Sequence, residues 1–276
     1  MKPLKNILIT FYLLFFIILL GQCQNKTGNN LDQGRLLIEQ KEFNEALIFF
    51  NNAIKKDSTD KMCYYYRGKI YQNIKSFDLS VKDYTKAISI DNQYYQAYVL
   101  RAEVYSILGK YTSALNDCDK SININPNYPY SYFGKSIIYG KKGDENNAMI
   151  NIDKAIALDT LNPNFNNEKG LILMRSNKLK EALLYFDLAI KYENDCDYGY
   201  YNRGLTYAKM KNYNQAYIDF NKAIQINNTY GDAYFGRGII EINHNSNNKK
   251  GCEDLNLAVK YECLIALDAI SMYCEK

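Results

Sequence analysis

Apolar residues fall along this chain in short blocks with helical spacing. From Asp197 onward, Tyr200, Gly204 and Tyr207 stand at i, i+4 and i+7 and so share one face of a first helix. Ala216, Phe220 and Ala223 do the same on a second, and Lys211-Asn212-Tyr213 makes a tight polar turn between them, as do Gly109-Lys110 and Lys142-Gly143-Asp144 elsewhere. Each such block predicts an antiparallel helix hairpin. The blocks recur: Ala53, Ala87, Ser121, Ala155, Ala189 and Ala223 are each 34 residues apart, and Ala258 follows after 35. Gly34, Gly68, Ala102, Ser136, Gly170, Gly204 and Gly238 keep the period without a slip. Small residues at these points let paired helix axes approach closely where they cross. A fixed period of this size predicts stacked units, none of which can bury its apolar face alone.

The repeated positions resemble those of tetratricopeptide repeats. An aromatic stands at Tyr64, Tyr98, Tyr132, Tyr200 and Tyr234, and a tyrosine one turn later at Tyr71, Tyr105, Tyr139 and Tyr207. An alanine follows at Ala46, Ala114, Ala148, Ala182 and Ala216, then a bulky residue at Phe50, Tyr84, Ile152, Phe186, Phe220 and Leu255. The resemblance covers about 27–263, with units starting near 27, 61, 95, 129, 163, 197 and 231. It implies an all-α, right-handed superhelical solenoid of about seven helix-turn-helix repeats. Over 264–276, Leu264, Ile265, Leu267, Ala269, Ile270 and Tyr273 recur on one face and predict a capping helix. The chain departs from the pattern at Asn30, which stands where the first aromatic belongs, and at Lys250 and Gly251, which replace the alanine of the last unit. The closing proline is present only as Pro126.

Arginine takes the family's leucine position in four units. Arg67, Arg101, Arg203 and Arg237 are matched on the second helices of the same units by Asp83, Asp117, Asp219 and Asp254. Where the base is Lys135 or Lys169, the acidic position holds Asn151 or Tyr185. This covariation predicts an interhelical salt bridge with a bidentate guanidinium fork.

Ahead of the repeats, Lys2 and Lys5 precede an uncharged apolar run from Ile7 to Leu20, the layout of a secretory leader over 1–22. The run is shorter than the roughly 20 apolar residues that span a bilayer. Leu20-Gly21-Gln22-Cys23 resembles the lipobox of bacterial lipoproteins, which implies Cys23 as a lipidated mature N-terminus at the cell envelope. Gln22 stands where that family has a small residue, and an uncleaved signal anchor or ordinary cleavage near Gly21 are the alternatives. The polar residues 23–30 read as a flexible tether. Cys252, Cys263 and Cys274 lie close in sequence at the other end, where exported chains can form a disulfide and buried free thiols are the alternative.

Composition then narrows the chemistry. Losing Lys2 and Lys5 with the leader leaves 32 basic residues against 30 acidic ones, a net charge of +2 in place of +4, which does not suit an electrostatic nucleic-acid binder. The sequence has no C-x-x-C pair and only one histidine, His244, so neither a metal nor a cofactor is expected, and no nucleophile is spaced to meet that histidine. The expected protein is not an enzyme. By the resemblance, first helices line a concave surface that holds peptide segments. Tyr65, Val99, Phe133, Asn167, Tyr201 and Phe235 lie on it, with Tyr130, Ile137, Tyr198 and Asn202 nearby. Lys69, Lys141, Arg175 and Lys209 add positive charge, which suits a peptide or amphipathic helix of some acidic character. The alternatives are carbohydrate capture by the tyrosine-rich face and self-assembly, in which several of these aromatics pack between units.

Overall fold

The structure, a computed structural model, describes residues 31–244 and 246–274. The expected leader, the Cys23 lipid site and the 23–30 tether lie outside them. The described residues form fifteen helices and no strand, and the chain divides into two compact units at Asn125/Pro126. The first unit contains α1 (31–39), α2 (Phe43–Lys56), α3 (Lys61–Asn73), α4 (Phe77–Ile90), α5 (Tyr95–Ile107) and α6 (Tyr111–Ile124). The second contains α7 (Pro129–Lys141), α8 (Glu145–Leu158), α9 (Pro163–Arg175), α10 (Leu179–Tyr192), α11 (Asp197–Lys209), α12 (Tyr213–Ile226), α13 (Gly231–Asn243), α14 (Asn248–Lys260) and α15 (Ala266–Tyr273). Odd-numbered helices through α13 are the first members of hairpins. Within each unit the second helix of one hairpin packs on the first helix of the next.

The crossing inside a hairpin is built from a small residue and a ring. A Cβ placed on Gly170 would lie 2.5 Å from the Phe186 ring, and one on Gly68 would lie 2.7 Å from Tyr84. Gly34 meets Phe50 and Gly204 meets Phe220 in the same way. Where the small residue is larger, the partner sixteen residues on is smaller: Ala102 faces Cys118, and Ser136 faces Ile152, all of them buried. The serines that occupy small-residue positions satisfy their hydroxyls on backbone, Ser80 donating to the Gly68 carbonyl and Ser136 to that of Ala148, both at 2.9 Å.

The turns inside the hairpins share one conformation. Lys41, Lys75, Gly109, Gly143, Asn177 and Lys211, each 34 residues after the last, all have positive φ. Only two of the six are glycine, the residue that adopts this region without steric cost. The slip to 35 is located here as well: four residues link α13 to α14 where three link α11 to α12, and Ser246 takes the left-handed position.

The last hairpin repairs its own departure from the pattern. Glu241 stands where earlier units have a tyrosine and is buried, and the Lys250 ammonium reaches it at 2.6 Å. Gly251 lets Ile242 and the Gly238 backbone close over the place an alanine would fill. Beyond it, Cys252 and Cys274 form a disulfide with Cα atoms 5.8 Å apart, while Cys263 is a buried free thiol. The bridge fastens the cap to α14 and is worth about 3 kcal/mol in the chain-entropy account. The expected single apolar face of the cap is corrected: Ala266, Ala269, Ile270 and Tyr273 turn inward, whereas Leu264, Ile265 and Leu267 are exposed. The cause is the late start of α15 at Ala266, which leaves Leu264 and Ile265 in the preceding turn.

Lys211 carries a side chain at a backbone angle of +61°. Lys211→Gly is expected to raise stability by about 1 kcal/mol, while Gly143→Ala lowers it by a similar amount; paired urea unfolding curves followed by circular dichroism check both signs.

Candidate functional site

Two sets of residues carry polar chemistry on the first helices: a row of staples at each hairpin, and the face that the first helices present together.

The staples come first because they hold the face in place. The Arg67 guanidinium donates to both carboxylate oxygens of Asp83, from Nε at 2.6 Å and from its second terminal nitrogen at 2.7 Å. Arg101 does so to Asp117, Arg203 to Asp219 and Arg237 to Asp254, all within 2.6–2.8 Å. Each aspartate is buried. The remaining nitrogen of each fork reaches back sixteen residues to the preceding hairpin: Arg67 to Asn51, Arg101 to Thr85, Arg203 to Asp187 and Arg237 to Asn221, at 2.5–2.9 Å. One guanidinium therefore ties three helices. Tyrosines on the same helix flank it, with Arg67 over Tyr64 and Tyr71 and Arg101 over Tyr98 and Tyr105. The hydrogen bonds to Asp219 hold the Arg203 guanidinium above its ordinary range, against the cost of burial.

Lys169 shows what remains when the forward acid is missing. Its ammonium bonds back to Asp153 at 2.7 Å and lies 4.4 Å from the centre of the Tyr185 ring, which occupies the aspartate's place. A point charge makes one anchor and a cation–π contact in place of a fork.

The first-helix face is best developed in the second unit. Phe133, Asn167, Tyr201 and Phe235 form one row on α7, α9, α11 and α13; Ile137, Leu171, Leu205 and Ile239 form the next, half-buried throughout. Lys141, Arg175 and Lys209 follow at the helix ends. Neighbouring first helices touch: α7 meets α9, α9 meets α11, and Asn202 donates its amide to Asn167 at 2.9 Å. Tyr130 is the most open aromatic of the set, 39% exposed. Tyr198 is half-buried, and its hydroxyl donates to Glu193.

Several expected face residues need correction. Val99 is 9% exposed and belongs to the core of the first unit; its side chain is shorter than the rings Tyr65, Phe133 and Tyr201 at the same position of other first helices. Asn202 is 8% exposed and its amide is spent on Asn167. Tyr65, Phe133 and Tyr201 keep one edge open but pack on the following hairpin: Tyr65 on Tyr94, Phe133 on Phe165 and Tyr201 on Tyr230, at ring centroid distances of 5.0–5.1 Å. Arg175 is not a spare cation, since its guanidinium bonds Glu145 at 2.8 Å and reaches Glu168 at 3.4 Å. Glu168 is raised above the usual carboxylate range by burial, which Arg175 only partly offsets.

The free thiols among the described residues are buried, and the one histidine packs on a ring. Burial pushes Cys63 up to about 12 and Cys263 up to about 11, each with a neighbouring aspartate adding to the shift, so the nucleophilic thiolate is scarce at neutral pH. His244 stacks on Tyr213 with ring centroids 3.5 Å apart. Among the described residues no group of His, Cys, Asp and Glu is placed to hold a metal, and no helix is long and apolar enough to cross a membrane.

The tetratricopeptide repeat model matches residues 63–94, 95–128, 129–160 and 198–230. These four stretches are tetratricopeptide repeats. The units near 27, 163 and 231 are not matched; in the one at 163, Asn166 stands at the signature aromatic position, buried and donating to the Asn162 carbonyl at 2.9 Å, while Phe165, one residue earlier, fills the core. Its helices nonetheless pack as the others do. No curated protein matches the sequence at a significant level.

Solved structures of similar fold include a chain of the Cut9–Hcn1 hetero-tetramer of the APC/C (TM-score 0.75, 16% identity, covering 87% of this chain and 48% of that one). A tetratricopeptide repeat protein of Parabacteroides merdae aligns with TM-score 0.69, 16% identity and coverage of 89% and 98%. The human IFIT1 dimer with PPP-AAAA aligns with TM-score 0.75, 14% identity and coverage of 88% and 62%. The chain spans about half the length of the Cut9–Hcn1 chain and most of the Parabacteroides protein. At these identities the likeness establishes the stacked-hairpin fold and leaves the ligand to be argued from this chain's own surface.

The fork of Arg203 predicts strong coupling to Asp219. In a double-mutant cycle with Arg203→Met and Asp219→Asn, denaturant unfolding is expected to give a coupling of about 1–3 kcal/mol, and Asp187→Asn, which removes only a half-exposed partner, is expected to cost under about 1 kcal/mol.

Proposed function

We propose that this protein is a non-catalytic adaptor that binds protein segments along the first-helix face, exported and held at the bacterial cell envelope by a lipid on Cys23. The observation that carries the binding half is the row Ile137, Leu171, Leu205 and Ile239: four aliphatic side chains at the same position of four successive first helices, left half-open by a fold whose other inward positions are filled. A continuous open apolar row on a soluble surface marks a contact site. Aromatics border it on one side and the ammonium groups of Lys141 and Lys209, which form no salt bridge among the described residues, on the other, which favours an amphipathic segment with acidic residues beside its apolar stripe. The repeat family supports the same reading, since its members serve as interaction scaffolds.

Export draws support from the leader pattern and from the Cys252–Cys274 bridge, because structural disulfides persist in oxidising compartments. The nearly balanced charge argues against nucleic acid as the ligand.

Affinity purification from membranes tests the binding half. A partner recovered with the parent protein is expected to fall at least about tenfold with Ile137→Ser/Leu205→Ser, yet to be retained with Leu184→Ser, which alters an exposed leucine on the second-helix side. Equal loss from both variants, or retention by both, refutes the assignment of the face. Metabolic labelling with a palmitate analogue tests the anchor: the label is expected on the parent and absent from Cys23→Ser, and a label that survives the substitution overturns acylation at that residue.

A further inference from the structure

The second unit carries another aliphatic row, on its second helices. Ile150, Leu184 and Ile218 stand 34 residues apart at one position of α8, α10 and α12. They are 52%, 62% and 54% exposed, more open than any member of the first-helix row. Each lies midway between two core residues of its own helix, as Ile150 does between the buried Ala148 and Ile152, so the helical rotation turns it away from the packing on both sides. The first unit has an apolar residue at this position only in Ile48; Lys82 and Asn116 hold it in α4 and α6, and Glu253 holds it in α14.

The charges on these three helices sort by direction. Of their five acids, Glu145 pairs with Arg175, Asp153 with Lys169, and Asp187 and Asp219 with Arg203, so four are spent on bases of first helices and Glu181 alone is not. Their four bases, Lys154, Lys180, Lys191 and Lys222, are all exposed, and none enters a salt bridge among the described residues. A single free lysine says little. The asymmetry says more: on the same helices the acids turn inward and the bases outward, which leaves the outer face positive. Lys154 and Lys222 stand one turn after Ile150 and Ile218, and Lys180 one turn before Leu184.

An aliphatic tip with a lysine one turn away suits a bilayer surface, where the tip enters the acyl boundary and the ammonium stays among acidic headgroups with its stem alongside. A protein occupant is less well served. Three tips on three separate helices are a small fraction of the roughly 800 Å² per partner of a standard protein interface. A second copy laid row against row would set lysines against lysines. Small area is no obstacle to lipid contact in a chain already tethered at the membrane, because the tether keeps the face at high effective concentration.

We propose that the outer face of α8, α10 and α12 is a lipid-docking surface, on which Ile150, Leu184 and Ile218 enter the acyl boundary and the four lysines meet acidic headgroups. It rests on the envelope reading above and adds an orientation to it: the second unit lies on the membrane by its second helices, which leaves its first-helix row free for a partner.

The test is photolabelling of the whole protein, extracted from membranes and reconstituted into vesicles that carry a trace of phosphatidylcholine with a diazirine in its acyl tail. The bulk lipid is phosphatidylcholine, alone or mixed with phosphatidylglycerol, and adducts are mapped by peptide mass spectrometry. Adducts are expected on the peptides containing Ile150, Leu184 and Ile218, several-fold more with phosphatidylglycerol than without. They are expected to fall several-fold in Ile150→Ser/Leu184→Ser/Ile218→Ser with helical circular dichroism unchanged, and to stay in Ile137→Ser/Leu205→Ser. Lys154→Glu/Lys222→Glu is expected to remove most of the gain from phosphatidylglycerol. Adducts confined to peptides before residue 31, or adducts on the row that the triple variant does not reduce, overturn the docking surface and leave the Cys23 anchor standing. Adducts on the row in a protein whose Cys23 takes no palmitate label support the surface and remove the anchor alone. Loss of a captured protein from the triple variant with its lipid adducts unchanged gives the row to a protein and also overturns the proposal.

Discussion

The structure depends on how closely two helices can approach at one point in each hairpin. A glycine on the first helix lies under a ring from the second, near enough that no Cβ fits, as with Gly170 under Phe186 and Gly68 under Tyr84. At Ala102 and Cys118, and at Ser136 and Ile152, a larger residue on the first helix is met by a smaller one on the second, so the close approach survives a change of both members. Once this contact sets the hairpin's separation, side chains sixteen residues apart face each other at fixed distance, and that is what lets a rigid guanidinium fork reach a carboxylate with two hydrogen bonds in four different units.

The arginine fork then does something the ring contact cannot. Packing within a hairpin leaves open how the next hairpin docks, since an apolar surface permits small slides. A charge-assisted hydrogen bond from the same guanidinium back to Asn51, Thr85, Asp187 or Asn221 removes that freedom. The buried aspartates would each be costly if left alone, so the arginines are tied to their positions by the penalty of their absence as much as by the strength of the bond. Lys169 marks the limit of substitution, keeping the backward anchor to Asp153 while a tyrosine replaces the acid that lysine could not chelate.

Much of this was legible in the sequence. The period, the hairpins and the forward Arg to Asp pairing follow from residues at constant offsets, and the observed first helices begin at Lys61, Tyr95, Pro129, Pro163, Asp197 and Gly231, where the units were expected to start. The backward partners also leave a signal, since Asn51, Thr85, Asp119, Asp153, Asp187 and Asn221 are polar at the same 34-residue period, but it lies across a hairpin boundary, outside the pattern of a single unit. The exposure of face residues was not legible. Whether Val99 or Tyr65 reaches solvent depends on side-chain length and on what the following hairpin lays against it, as Tyr94 does on Tyr65, which no single-unit pattern encodes. Nor could spacing distinguish Cys274 from Cys263 as the partner of Cys252, since both separations are compatible with a bridge and only the turn of α15 decides it.

The division of labour along each first helix bears on function. Positions that meet the second helix are coupled in pairs, so a change at Gly204 or Arg203 must be answered at Phe220 or Asp219. Positions on the open face carry no such obligation, and there the chain varies freely: the place held by Ile137, Leu171, Leu205 and Ile239 in the second unit is Lys69 and Glu103 in the first. Variation that packing does not require has to be explained by what the surface meets. An aliphatic row with ammonium groups at its edge calls for an apolar stripe on what it meets, and a scaffold whose hairpins are locked by rings and forks can present that surface without disturbing the fold.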